Sequence, residues 1–274
     1  MQSSSHALPP VRALSAGPRA RALASLFLLG AALQLPSAHA SDPKPTIVLV
    51  HGAMADAASW SAVVPRLQAH GYTVVATPDP LRSVQGDADV VAGVVKSIKG
   101  PVVLVGHSYG GAVITNAAVQ ADNVKSLVYV AAFAPAVGES AFALVGKFPG
   151  SVLGAALATP VDLPGGGHDL HMEPAKFAEP FAADLPASQV AVLAASQRAV
   201  TEAALKEPSG SAAWQTLPSW FVYGSADKSI PPAAHAFMAR RAKAREAVAV
   251  EGASHLVMLS QPEQVVRVIE DAAR

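Results

Sequence analysis

A serine hydroxyl is a weak nucleophile unless a base takes its proton and a third group holds that base in place. Three residues of this chain have the types and the order for that work. Ser108 lies in Gly106-His107-Ser108-Tyr109-Gly110, a G-x-S-x-G pattern in which a strained strand-to-helix turn pushes a serine hydroxyl out of a sheet edge. Asp227 lies in "YGSADKSIPP" and His255 in "VEGASHLVML", each just beyond a strand-like run. An isolated G-x-S-x-G is a frequent chance match. Serine, acid and base in that chain order, each in a loop after a strand, form a specific combination.

An acyl-transfer site also needs donors for the oxyanion that develops in the transition state. The amide of Tyr109 opens a helix, whose dipole favours negative charge. The second donor is expected from the loop "HGAMADAASW" after His51-Gly52, at Ala53, with Met54 as the fallback. Met54, His107, Phe133 and Leu256 are the expected substrate neighbours. Asp79 follows a strand but precedes the serine. Glu139 is a lesser alternative acid. His235, at the start of a helical run, reads as a surface residue. "GGGHDLHMEP" holds His168, Asp169, His171 and Glu173, but spacing of this kind binds zinc best on a helix, and the glycines oppose one. No metal and no cofactor is expected.

The elements that must position these residues alternate along the chain. "TIVLVHG", "YTVVATP", "PVVLVG", "VKSLVYVAAF", "WFVYG" and "EAVAVEG" read as buried strands. Helical runs separate them at Ala58–Gly71, at Ala88–Lys99, after Ser108, from about Ala233 to Ala244, and from Pro262. Such alternation implies a parallel sheet with helices on both faces. It stops between Ala134 and about Ser219, where nine prolines and "PGGGH" interrupt the pattern. So long an insertion, carrying Phe142, Phe148, Phe177, Phe181 and Trp214, is expected to pack as a cap over the carboxyl edge of the sheet.

Composition narrows the rest. The 274 residues suit one sizeable α/β domain, and 20 basic against 20 acidic side chains offer no field for nucleic acid or an anionic membrane. The absence of cysteine excludes thiolate catalysis and disulfides. Arg12, Arg19 and Arg21 precede the apolar run Ala22–Leu35 and the ending "PSAHA", which together describe a secretory signal over residues 1–40 cleaved after Ala40. That apolar run is shorter than the roughly 20 residues of a spanning helix, so no stable membrane insertion is expected after cleavage. The expected destination is the periplasm or the medium, with a domain over 41–274.

The segments "VLVHGAMADAASW", "VVLVGHSYGGAVI", "YVAAFAPAVGES", "SADKSIPP" and "SHLVMLSQP" resemble the α/β-hydrolase superfamily, and within it small bacterial serine hydrolases related to plant methylesterases and hydroxynitrile lyases. The resemblance implies an eight-stranded, mostly parallel sheet, a helical cap after the sixth strand, a Ser108-Asp227-His255 triad, and the Ala53 and Tyr109 amides as oxyanion donors. Leu256 stands where the lyases of that group carry a lysine, which disfavours lyase chemistry. Ser108 in the nucleophile position sets the chain apart from the aspartate-dependent dehalogenases and epoxide hydrolases.

The function these features imply is an exported carboxylesterase that cleaves small to medium hydrophobic esters through an acyl-serine. Charged residues are sparse between Ala134 and Pro160, which favours an apolar ester. An amidase, lactonase or carbon–carbon hydrolase could use the same triad. A binding protein that kept the fold but lost turnover is the reading of another class, and it leaves the ordered triad without a purpose.

Overall fold

The computed structural model describes residues 44–274, so the leader expected over 1–40 lies outside the described residues. The main sheet is built from β1 (Thr46–Val50), β2 (Val74–Thr77), β3 (Val102–His107) and β4 (Val124–Val130). After the insertion, which holds β5 (Val161–Asp162), β6 (His168–Leu170) and β7 (Val200–Thr201), it is completed by β8 (Ser219–Gly224) and β9 (Glu246–Val250). The order is β2-β1-β3-β4-β8-β9 and every pairing is parallel. The β-branched runs behave as strands covered on both faces should, for all six residues of β3 are buried.

Two expectations are corrected. The main sheet has six strands among the described residues rather than eight, because residues 44–274 contain only six apolar runs long enough to join it. The cap is not purely helical. Its β5, β6 and β7 form a separate antiparallel sheet of three short strands. Its helices run to between four and ten residues, since prolines repeatedly remove the amide that the next turn would need.

Pro65 has a similar effect earlier in the chain. The single helix expected over Ala58–Gly71 is a 3₁₀ turn at Ala57–Trp60 followed by a helix at Val64–Ala69, with proline in the first turn, where its missing N–H costs nothing. The next helix starts at Val84 instead of Ala88, because Ser83 caps it by accepting a hydrogen bond from the Gly86 amide.

The strand order places the chemistry. The chain leaves β1 for β2 on one side and continues with β3 on the other, so the loops after β1 and β3 diverge and leave a crevice between them. Ala53 follows β1, and Ser108 and Tyr109 follow β3. Asp227 follows β8 and His255 follows β9. All five lie at the carboxyl edge.

Candidate active site

Ser108 sits between β3 and the fully buried helix Gly110–Ala117, at φ 51°, in the left-handed region that a residue with a Cβ enters at a cost. The turn is held by its own backbone, since Ser108 O accepts from the amides of Gly111 (3.0 Å) and Phe133 (3.1 Å). Its tightness rests on Gly106 and Gly110. A Cβ on Gly106 would lie 2.5 Å from the Gly110 carbonyl oxygen, and one on Gly110 would lie 2.6 Å from that of His51. The strain is thus local and is maintained by packing, as expected where a nucleophile must be presented.

Asp227 and His255 meet as a buried pair. His255 Nδ1–H donates to Asp227 Oδ2 at 2.8 Å. The other carboxylate oxygen, Oδ1, accepts the amides of Ser229 (2.8 Å) and Ile230 (3.0 Å). Burial alone would raise the Asp227 pKa, but the charge of His255 and the imidazole hydrogen bonds hold it well below the usual carboxylate range. His255 Nε2 is buried and has no hydrogen-bond partner among the described residues. The Ser108 hydroxyl therefore does not engage it in this conformation, an open geometry common before substrate binds. His107 locks the base from the other side. Its Nε2–H donates to the His255 carbonyl at 3.3 Å and its ring lies 4.8 Å from the His255 ring. Burial, then the charge of His255, keeps His107 well below the ordinary histidine pKa, so it remains neutral.

The two expected oxyanion amides are free. Neither Ala53 N–H nor Tyr109 N–H donates to another group among the described residues. The fallback is not, because Met54 N–H donates to Arg198 O at 3.1 Å. His51 explains why the Ala53 peptide is held still. Its Nδ1–H donates to Gly52 O (2.9 Å), the other end of the Gly52–Ala53 peptide, while its Nε2 accepts the Asp79 amide (3.0 Å).

Asp79 leads to a buried acidic pair. Asp79 and Asp87 are both buried, and Tyr109 Oη–H donates to Asp87 Oδ2 at 2.9 Å. Burial, then the neighbouring Asp87 charge, pushes Asp79 up to about 8. The folded pKa therefore lies above the unfolded one, so the folded state binds the extra proton and stability is lost as pH rises from about 4 to about 8. Asp79→Asn is expected to abolish this loss, making the variant more stable than the parent by several kcal/mol at pH 8, about 1.4 kcal/mol for each unit by which the folded pKa is raised, and nearly equal to it below pH 4. Urea unfolding across that range measures it, and parallel curves for the two proteins would refute the raised Asp79 pKa.

The space above Ser108 is an apolar cavity of about 90 Å³, room for several water-sized groups. Ala53, Met54, Ser108, Tyr109 and Phe133 form its floor. The cap contributes Phe142, Val145, Leu153 and Leu205, with Phe181 and Ile230 beside them. Apart from Tyr109, whose hydroxyl is tied to Asp87, its polar side chains are Ser108 and Ser229, and the Ser229 hydroxyl donates to Pro180 O. Phe142, 62 % exposed, marks the mouth.

Of the four expected substrate neighbours, Met54 and Phe133 line this cavity, while His107 and Leu256 do not. His107 is wholly buried against His255, and Leu256 faces a second hollow with Phe177 and Leu193. The cap residues escaped sequence reasoning because a loop-rich insertion carries no register. Only the isolated aromatics, Phe142 and Phe181, signalled them.

The other acids and histidines are otherwise engaged. Glu139 pairs with Lys147 (2.6 Å) and Arg241 (2.8 Å) and accepts the Ala136 amide. In the cap, Asp169 pairs with Arg82, Glu173 with Lys176, and His168 with Asp162. No group of three or more His, Asp or Glu side chains among the described residues could hold a metal ion. His235 corrects the sequence reading: it is 1 % exposed rather than on the surface, and its Nε2–H donates to the same Asp227 Oδ2 at 3.1 Å. One turn into a helix that begins with two prolines, it faces the sheet edge. Its position eight residues after the acid was the available signal.

Known proteins resemble this chain to differing extents. The chain is 36 % identical over 116 residues to a pyrethroid hydrolase of Sphingobium wenxiniae, a match covering 37 % of this chain and 41 % of that protein. It thus spans less than half the length of that curated relative. The crystal structure of a pyrethroid hydrolase from Sphingobium faniae JZ-2 superposes with a TM-score of 0.67 at 25 % identity, over 84 % of this chain and 97 % of the other. That of polyneuridine aldehyde esterase superposes with a TM-score of 0.74 at 20 % identity, over 85 % of this chain and all of the other, which speaks to the fold. The model of the alpha/beta hydrolase family matches residues 47–268, from β1 into the last helix, and the chain belongs to that family.

Proposed function

We propose that this protein is a serine carboxylesterase acting on small to medium hydrophobic esters. The observation that carries the reading is the strained Ser108 beneath an apolar cavity, flanked by the free Ala53 and Tyr109 amides and by a His255 held by Asp227. An ester carbonyl seated over Ser108 would point its oxygen at those amides. His255 Nε2 takes the hydroxyl proton as Oγ attacks. Asp227 holds the resulting imidazolium, and the two amides hold the oxyanion, each contributing about 3 kcal/mol in comparable sites. His255 then protonates the leaving alcohol, and water resolves the acyl-serine by the same steps in reverse.

The pyrethroid hydrolases among its relatives support ester cleavage and an apolar substrate. Leu256, uncharged and turned away from the cavity, supports hydrolysis over lyase chemistry. A p-nitrophenyl ester series from acetate to decanoate tests the reading. Turnover is expected to peak at short to medium acyl chains and to fall by at least about 10⁴-fold in Ser108→Ala. A folded protein inactive across the series would overturn it.

Export with removal of residues 1–40 belongs to the same proposal and rests on the basic, apolar and "PSAHA" segments. No helix of the described residues is long and apolar enough to cross a membrane. Fractionation and N-terminal sequencing are expected to find Ser41 first in the exported protein; retention of Met1 in the cytoplasm would refute export.

A further inference from the structure

Asp227 Oδ2 receives two imidazoles: His255 Nδ1 at 2.8 Å and His235 Nε2 at 3.1 Å. All three side chains are buried, with relative exposures of 0–1 %. The hydroxyl-to-imidazole chain of the proposed mechanism uses only one of these contacts. The second is built with care. His235 lies in the helix Pro232–Arg241 that follows the Asp227 loop, and its ring stacks on Tyr223 at the end of β8, with centroids 4.7 Å apart and planes at 21°. Its Nδ1 is buried with no hydrogen-bond partner, which fits a neutral ring whose one proton sits on Nε2 and is donated to Asp227. A neutral aliphatic side chain would fill the same space without competing for that oxygen.

We propose that His235 is a positioning residue of the esterase site: by sharing Asp227 Oδ2 it limits the hold of the carboxylate on the His255 imidazolium and so keeps His255 available as a base at lower pH. The inference rests on the proposed esterase reading for its consequence in catalysis, but not for its effect on His255. The reasoning is one of competition. A carboxylate oxygen that already accepts an N–H has less negative charge to offer a second donor, and the loss matters most for a cationic one. Removing His235 leaves the Ser229 and Ile230 amides on Oδ1 and gives Oδ2 wholly to His255. The charged form of His255 is then favoured, and its pKa rises. The titratable groups facing the pair are Asp227 and His107 around His255, and Asp227, His255 and Tyr223 around His235.

The experiment compares the unaltered protein with His235→Leu and His235→Gln. Leucine removes the donor at similar bulk, whereas the glutamine amide can still donate an N–H to Oδ2. The ring nitrogens of His255 are titrated by NMR, which needs no turnover. The acid limb of kcat/KM is measured beside it. The expected result is a His255 pKa about one unit higher in His235→Leu, with the acid limb displaced equally, and both returned close to the original values in His235→Gln. A folded His235→Leu with an unmoved His255 pKa would overturn the proposal. Equal displacement in both variants would also overturn it, because that outcome belongs to packing rather than to the donor. If His235→Leu does not fold, His235→Asn, whose amide is too short to reach Oδ2, is the donor-free comparison and is read by the same criteria. A protein that hydrolyses no ester but shows the NMR displacement would refute the esterase reading alone.

Discussion

Ser108→Ala is expected to reduce ester hydrolysis by at least about 10⁴-fold, leaving what oxyanion donors and binding can do without a nucleophile. The loss should fall on kcat, since the hydroxyl is needed for the bond that forms and contributes little to an apolar cavity wall. The same position offers a second reading that does not depend on activity. Both serine and alanine carry a Cβ, and at φ 51° that atom costs about 1–2 kcal/mol. Ser108→Ala is therefore expected to melt with the parent, while Ser108→Gly should melt about 2–4 °C higher for each 1 kcal/mol released and be equally inactive. Calorimetry beside a p-nitrophenyl butyrate assay measures both. Substantial turnover by a folded Ser108→Ala would remove Ser108 from the mechanism. A Ser108→Gly no more stable than Ser108→Ala would mean that the turn stores no strain.

The second large effect is expected two residues upstream. An added Cβ at Gly106 would sit 2.5 Å from Gly110 O and 2.8 Å from Gly111 N, both backbone atoms that cannot rotate away. Gly106→Ala must therefore lift the helix Gly110–Ala117 from β3. That helix is buried along all eight residues. Destabilisation of about 3 kcal/mol or more is expected. Because Ser108 and the Tyr109 amide stand on the displaced turn, the fraction that still folds should lose at least about 100-fold in activity. Gly93→Ala is the matched control. Gly93 lies inside the helix Val84–Ser97 with nothing within 4 Å of its added Cβ, so alanine there should gain about 0.5–1 kcal/mol. Urea unfolding of the pair checks the contrast, and a Gly106→Ala as stable and active as its parent would show that the turn accommodates a methyl group.

Much of this site was legible before any coordinates, for reasons that differ residue by residue. The β-branched runs ending at His51, His107, Gly224 and Val250 announce parallel strands, and parallel strands bring their carboxyl-end loops to one edge. Ser108 thereby becomes a neighbour of Asp227 and His255, although both lie more than 100 residues further along the chain. The glycines of G-x-S-x-G announce a close backbone approach, and the 2.5 and 2.6 Å at which a Cβ on Gly106 or Gly110 would meet backbone oxygens show how close it is. Ala53 was preferred to Met54 from the sequence, and the structure supplies the reason, since Arg198 O occupies the Met54 amide.

What escaped the sequence has a common cause. His235 read as a surface residue because its helix is short and only weakly amphipathic, yet tertiary contact with Tyr223 and Asp227 buries it. Asp79 looked like a rejected acid, but the fold buries it beside Asp87, which accepts from the Tyr109 hydroxyl, and against His51, which holds the Gly52–Ala53 peptide. The cap over the carboxyl edge was recognised, whereas its three-stranded sheet was not, because two- and three-residue strands leave no periodicity to read. The sequence by itself determined the repeating strand–helix frame, the triad order and the nucleophile turn, since these follow from local pattern and from the handedness of parallel connections. Only the tertiary structure decided which side chains line the cavity, which amides are left free and which histidines share Asp227. Those properties depend on contacts between segments far apart in the chain, and no local pattern encodes the distance between them.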